Sequence, residues 1–279
     1  MTIEWYPGHM ATARREAMET MRTTDVVIEV LDARVPLASL NPVFEALRRE
    51  NRRPALKVLN KVDAADPAQT PGWLAWYNAQ PGVKAVALSA RKAGEVKALP
   101  AACLSLAPGR GTKDKPLRLM ILGIPNVGKS TLMNTLLSRR VAHVGDEPAI
   151  TKHQMRHELG PGMSLVDTPG MLWPGLAQDV ALKLAATHSI GRNAYDEADV
   201  AVHLGTYLVA HYSGALARRY AVTPEVKDGF MLLEWIAKRQ SLVKKGGTPD
   251  TQKAAAVLLN DFRAGALGRV SLETAPEPG

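Results

Sequence analysis

Gly123-Ile124-Pro125-Asn126-Val127-Gly128-Lys129-Ser130 carries the densest chemistry in the chain. It fits G-x-x-x-x-G-K-[ST], follows the apolar run 117–122 and leads into the helical start Thr131-Leu132-Met133. Glycines let backbone N–H groups close on phosphate oxygens, and the start of a helix favours the same negative charge. In such a loop Val127, Gly128 and Thr131 line the phosphates, Lys129 reaches the outer two and the Ser130 hydroxyl ligates Mg²⁺. A chance glycine turn is the alternative; the strand before it and the helix after it argue against one. Asp167-Thr168-Pro169-Gly170 follows a second apolar run. Asp167 would hold Mg²⁺ through water, and the Gly170 amide would sense a terminal phosphate. Thr151 lies between the two segments. Its hydroxyl and carbonyl would close over Mg²⁺; a plain loop threonine is the alternative.

A phosphate loop does not choose a base. Asn60-Lys61-Val62-Asp63 (NKVD), at the end of the run 55–59, supplies that choice. The Asp63 carboxylate would accept hydrogen bonds from guanine N1 and N2, which adenine cannot match, and unpaired polar groups make the wrong base costly. Asn60 would brace the loops, and the Lys61 stem would lie on the base. Ser89-Ala90 would present backbone N–H groups to guanine O6; the alternative for Ser89 and Arg91 is an ordinary polar turn. An ordinary GTPase runs phosphate loop, DxxG, then NKxD. Here NKVD comes first, so the parts stand in rotated order, as in a circularly permuted GTPase.

Motifs so scattered need a sheet whose strand ends face one way. Segments 25–31, 55–59, 83–88, 117–122 and 163–166 read as strands, with helical stretches from Asn41-Pro42 to about Glu50 and over 71–79. That alternation gives a parallel sheet with helices on both faces. The Gly/Pro-rich segment 107–116 is a connector that would join the termini the usual order leaves free. Gly160-Pro161-Gly162 is a turn between strands. Beyond Gly175 helical patterns take over. Thr223-Pro224 and Thr248-Pro249 each offer an N-cap followed by proline. Ala255, Leu258, Leu259 and Phe262 share one helical face, and Gly265 is a stop. His188, His203 and His211 fall in helical stretches. The expectation is an α/β P-loop domain over 1–174, N-terminal helix included, then an all-α domain over 175–279 ending in a frayed tail.

The net charge of +8 and pI near 9.6 suit a polyanionic partner. Residues 1–174 hold 23 Lys+Arg against 16 Asp+Glu, and 175–279 hold 12 against 11, so the footprint lies on the first part. Arg14, Arg15, Arg48, Arg49, Arg52, Arg53, Arg139 and Arg140 are candidate phosphate contacts, with Lys238, Arg239, Lys244 and Lys245 as a second cluster; each alone is equally a solvated surface residue. One cysteine, Cys103, excludes an internal disulfide and reads as a buried hydrophobe. The chain has no apolar run long enough to span a membrane and no signal- or transit-type start, so a cytoplasmic protein is the default.

Together these marks resemble the ribosome biogenesis GTPase A (YlqF) family of circularly permuted GTPases. The resemblance covers nearly the whole chain: Trp5-Tyr6-Pro7-Gly8-His9-Met10, Asp32-Ala33-Arg34-Val35-Pro36, NKVD, GIPNVGKST, DTPG and Asp261-Phe262-Arg263. Two positions depart from it, Tyr6 where Phe is common and Ala149 where Gly often precedes the switch threonine. The resemblance implies a GTP hydrolase, slow alone, that binds the large ribosomal subunit precursor and its rRNA in late assembly, acting as a monomer with Mg²⁺. Met171 follows Gly170, where many GTPases carry a water-orienting Gln, and an apolar side chain cannot orient water. The resemblance puts His9 in that role. The spacing of Met10, Ala13, Ala17 and Met21 independently marks a helix of roughly 20 Å whose start could return to the carboxyl edge of the sheet, where nucleotides bind. A histidine that merely precedes a helix is the alternative. Asn126 would, by the same resemblance, help hold K⁺ against the phosphates, or it serves loop geometry. Rival readings are a GTPase acting on tRNA or its modification, and a nucleotide sensor with negligible turnover.

Overall fold

The computed structural model describes residues 9–138 and 155–277. A helix, α1 (His9–Thr23), leads into β1 (Val26–Asp32), α2 (Pro42–Glu50), β2 (Ala55–Asn60), α3 (Thr70–Asn78) and β3 (Val83–Ala87). The short α4 (Ala93–Val96) and α5 (Leu99–Leu106) precede β4 (Leu117–Leu122) and α6 (Lys129–Leu136), followed by β5 (Met155–Gly160) and β6 (Met163–Asp167). Helices then take over: α7 (Gln178–Ala186), α8 (Glu197–His211), α9 (Ser213–Tyr220), α10 (Gly229–Arg239) and α11 (Thr251–Ala264). The chain divides into two compact units, one spanning Leu176–Leu272 and the other holding the sheet.

The strands form one sheet in the order β3-β2-β1-β4-β6-β5. Five run parallel, and β5 pairs antiparallel with β6 at the edge. Counted from β4, the phosphate loop would come first, DTPG next and NKVD last, so one sheet accommodates the rotated order. Every residue of β1 is buried, as a strand covered on both faces requires. Val27 joins Met120 and Leu122 in an apolar cluster with Ala17 and Met21 of α1 and Phe44 and Leu47 of α2. Leu31 and Leu59 pack with Trp73 and Tyr77 of α3. Between these clusters lies a charge the strand pattern concealed. Lys57 of β2, fully buried, pairs with Glu29 beside it on β1 and with Glu45 of α2 (2.8 Å). Cys103 is buried, and burial pushes its thiol up to about 12, so it behaves as a hydrophobe.

The tail was expected to fray, yet from Glu273 it clusters with the sheet unit. The Glu273 carboxylate accepts from the amides of Leu37 (2.7 Å) and Ala38 (3.1 Å), and Ala275 packs by the α3 cluster.

In the helical unit α8 packs against α7, α10 and α11. At the α8–α10 crossing a Cβ on Gly229 would lie 2.0 Å from the Val202 carbonyl, so only glycine permits that approach. The expected caps move. Thr223-Pro224 opens a turn closed by Val226 N–H to the Thr223 carbonyl, and α10 is instead capped by Asp228, whose carboxylate accepts from the Met231 amide (2.8 Å). Pro249 sits in a bridge with Val243, and Asp250 caps α11. In both places an aspartate closer to the apolar run takes the role, because a cap must lie within three residues of the amide it serves. Gly265 ends α11 in the left-handed conformation. His188 lies outside a helix, in the turn after α7 at φ 67°. The Asp261-Phe262-Arg263 mark is scaffold: Arg263 donates to the Ala185 and Ala186 carbonyls that end α7, and Asp261 holds Arg219 and the Tyr220 hydroxyl.

Candidate functional site

The carboxyl ends of β1, β2, β3, β4 and β6 all face one edge of the sheet, and every described motif emerges there. After β4 the chain turns at Gly123 (φ 150°), where a Cβ would strike the Val30 carbonyl at 2.6 Å. Asn126 sits at φ 58°, the left-handed region that asparagine tolerates best after glycine. Gly128 (φ 100°) then starts α6, which opens with Lys129 and Ser130 and continues through Thr131.

Asn60 joins three of these segments. Its Nδ2 donates to the Val127 carbonyl (2.7 Å), and its Oδ1 accepts from the Ala90 amide (2.8 Å). A Cβ on Gly128 would lie 2.2 Å from that Nδ2, so the loop glycine is required by the contact with NKVD. Lys61 Nζ donates to the Asn126 carbonyl (2.6 Å). Val62 is half-buried, and Asp63 stands exposed at the end of the same turn. The Thr135 hydroxyl donates to the Ala90 carbonyl (2.8 Å), tying α6 to the Ser89-Ala90 turn. On the other side the Thr168 hydroxyl donates to the Ile121 carbonyl (2.6 Å), holding DTPG against β4. Gly170 rests on the phosphate loop: a Cβ there would lie 2.9 Å from both Pro125 Cα and Lys129 Nζ.

Lys129 is buried, and Nζ donates to the Gly123 (3.0 Å) and Ile124 (2.9 Å) carbonyls. Burial brings its ammonium down to about 8, opposed by Asp167. Burial pushes the Asp167 carboxyl up to about 6, opposed by Lys129 and by the Thr168 amide. Asp167 Oδ1 has no hydrogen-bond partner among the described residues. A buried acidic oxygen facing Lys129, the first residue of α6, is a hard donor of the kind that Mg²⁺ takes.

The structure amends three expectations. The Ser89 and Ala90 amides, expected to face guanine O6, both have internal acceptors: Ser89 N–H donates to Glu95 (2.8 Å) and Ala90 N–H to Asn60. The turn therefore serves as a brace in this structure. Second, Asp32 belongs to the site, although the sequence marked it only as part of a shared segment. It is fully buried, holds Arg34 through two bonds (2.9 and 2.8 Å) and pairs with Lys61 Nζ (2.9 Å). Burial works against its charge, yet Arg34 and then Lys61 keep its carboxyl far below the usual range. Its signal was a charged residue ending a mostly apolar strand, directly opposite Asn60 in the ladder. Third, Met171 does more than fail to orient water: it is buried in the cluster beneath α1 and α2. His9 begins α1, and its side chain lies outside the described residues, as does Thr151 altogether.

A family model described as 50S ribosome-binding GTPase matches residues 118–225, entering at β4 and so taking in the phosphate loop and DTPG but not NKVD. Ribosome biogenesis GTPase A of Bacillus cereus is 38% identical, over 100% of this chain and 96% of that protein. Two crystal structures from T. maritima are similar at 26% identity: GNP-bound YlqF (TM-score 0.63, 96% of this chain and 100% of the other) and GDP-bound YlqF (TM-score 0.66, 95% and 100%). With an α/β sheet in rotated order, a helical second unit and relatedness along its full length, the chain belongs to the ribosome biogenesis GTPase A family.

Proposed function

We propose that this GTPase acts in late assembly of the large ribosomal subunit, as a cytoplasmic monomer that engages the precursor particle and its rRNA in a GTP-dependent way. The observation that carries the site assignment is Asn60, whose single side chain joins the phosphate loop to the Ser89-Ala90 turn and so brings base-reading and phosphate-binding segments together. The names of the relatives support the assembly role. Lys129 exchanges its loop carbonyls for the β- and γ-phosphates, and the Val127-to-Thr131 amides cradle them. Asp63 reads guanine, with Lys61 held in place by Asp32 and its stem against the base. Ser130, Thr151 and Asp167 hold Mg²⁺, Asp167 through water. Bound there, the ion neutralises charge on the β- and γ-phosphate oxygens. Gly170 senses the γ-phosphate. His9 orients or activates the attacking water in place of Met171, and Asn126 contributes to a K⁺ site against the phosphates.

The best rRNA contact is a cleft of about 500 Å³ lined by Arg48, Arg49, Arg52, Arg53 and the Gln80-Pro81-Gly82 turn. It lies at the amino ends of β2 and β3, opposite the nucleotide edge. Glu45 neutralises part of it through Arg48 and Arg49, which leaves Arg52 and Arg53 without an acidic partner among the described residues, Arg53 also donating to the Arg22 carbonyl (2.6 Å). Guanidinium groups so placed match phosphodiester oxygens.

The test is sedimentation with large-subunit precursors in GTP and GDP analogues, beside single-turnover hydrolysis with and without particles, in K⁺ and in Na⁺. Particle-stimulated turnover supports the assembly role. Nucleotide binding without turnover under any condition would instead make the chain a sensor. Equal rates in K⁺ and Na⁺ would remove Asn126 from a cation site, and an unchanged rate in His9→Ala would remove the histidine.

A further inference from the structure

Asn41 lies outside every nucleotide motif, yet one of its bonds ends on Met171, the residue after Gly170. It is buried, and its Oδ1 accepts from the Val43 amide (3.0 Å), capping α2. Its Nδ2 donates to the Met171 carbonyl (2.9 Å). Capping requires only the acceptor oxygen, which serine, threonine and aspartate also supply. The donor half of the amide is therefore an additional function, and among the good capping residues only asparagine carries a donor on an atom separate from the capping oxygen.

The far end of that bond is restrained from two sides. Met171 follows Gly170 directly, and its side chain is buried among Ala17 and Met21 of α1, Phe44 and Leu47 of α2, and β4. Gly170 itself sits against Pro125 and within reach of Lys129 Nζ. Met171, the residue after Gly170, is thus held by an apolar anchor and by a hydrogen bond to its carbonyl, while Gly170 rests on the phosphate loop. Glycine is the residue with the most backbone freedom to lose, so a free sensor would spend much of its time out of position. A tethered one meets a terminal phosphate with its ordering already done.

We infer that Asn41 is a positioning residue for the second switch: its Nδ2 bond to the Met171 carbonyl holds the Gly170 amide in the place from which it meets the γ-phosphate, and so sets the preference for GTP over GDP. The inference rests on the GTPase site described above. GDP has no γ-phosphate and makes no demand on Gly170. The contribution should therefore appear for GTP and be absent for GDP, a separation that a purely structural role would not produce. The same packing places Met171 beneath α1, the helix that starts at His9, so a displaced Met171 also disturbs the helix leading to the proposed catalytic histidine.

Two substitutions separate the halves of the side chain. Asn41→Asp keeps the cap acceptor and replaces the donor with a carboxylate oxygen that repels the Met171 carbonyl. Asn41→Ser keeps a cap and offers as donor only the capping hydroxyl itself, one bond nearer the backbone than Nδ2. Affinities for GDP and for a non-hydrolysable GTP analogue are measured with the full chain by fluorescence titration, and melting curves report on folding. Both variants should lose roughly five- to thirtyfold in affinity for the analogue, the equivalent of one to two kcal/mol for a buried hydrogen bond. GDP affinity should stay within about twofold. Equal losses for the two nucleotides, or an unchanged ratio in either folded variant, would overturn the role of Asn41 while leaving the GTPase site intact. Failure of the wild-type chain to bind either nucleotide would instead overturn the site, and the inference with it.

Discussion

Asp167→Asn should stabilise the nucleotide-free protein while weakening its hold on Mg²⁺-GTP. Asp167 is 3% exposed, its Oδ1 lacks a partner among the described residues, and burial lifts its carboxyl from 3.8 to about 6. Ionising it is harder in the folded state than in the unfolded chain, and at neutral pH that rise corresponds to about 3 kcal/mol of lost stability. The asparagine buries an amide with hydrogen bonds of its own to satisfy, which offsets roughly 1–2 kcal/mol. A net gain of about 1–2 kcal/mol remains, or roughly 2–8 °C for a unit of this size. The pH dependence has a definite sign. A carboxyl whose folded pKa is raised imposes its full penalty above about pH 6 and none below the unfolded value of 3.8. The advantage of Asn should therefore be complete at pH 7.5 and shrink steadily as the pH falls from about 6 towards 4. Thermal melts without nucleotide across that range measure it, and titration of GTP at varied Mg²⁺ measures the loss of binding. A lower melting temperature at pH 7.5, or a gain independent of pH, would refute the account of Asp167 as a carboxylate destabilised by burial.

Asn60→Ala removes two buried bonds and strands the Val127 carbonyl and the Ala90 amide. At about 1–3 kcal/mol for each stranded group, denaturant melts should show a loss of roughly 2–5 kcal/mol, with nucleotide affinity falling by at least tenfold; a loss below about 1 kcal/mol would mean the two loops stay aligned without it. Asp63→Asn should shift preference from guanine towards xanthine nucleotides in competition binding, because the amide meets the xanthine carbonyl that replaces guanine N2; unchanged selectivity would assign base reading to another residue. Arg52→Ala combined with Arg53→Ala should leave intrinsic GTP hydrolysis unaltered, weaken binding to precursor particles, and lower the salt dependence of that binding by about one or two phosphate equivalents, whereas an unaltered salt slope would place the RNA elsewhere.

Much of the site was legible because its motifs are contiguous. A phosphate loop, NKVD and DTPG each encode a local backbone path through glycines, an asparagine that accepts a left-handed φ, and a strand-to-turn boundary. The parallel sheet was legible for a similar reason: strands buried on both faces are nearly continuous apolar runs. What only the tertiary structure decided is which distant groups meet. No local pattern reveals that Asn41 reaches Met171, that Asp32 steadies Lys61, or that the Ser89 and Ala90 amides already have acceptors. Apart from the local Ser89–Glu95 bond, each contact joins segments brought together by the sheet order, and a polar side chain's partner depends on where another segment's unpaired donor or acceptor lands. The buried Lys57 was hidden in the same way, since its charge is tolerable only because Glu29 stands beside it in the ladder and Glu45 above it on α2. The helix starts at Asp228 and Asp250 show that even a local choice between neighbouring caps is settled by where the helix must begin in order to bury its apolar face.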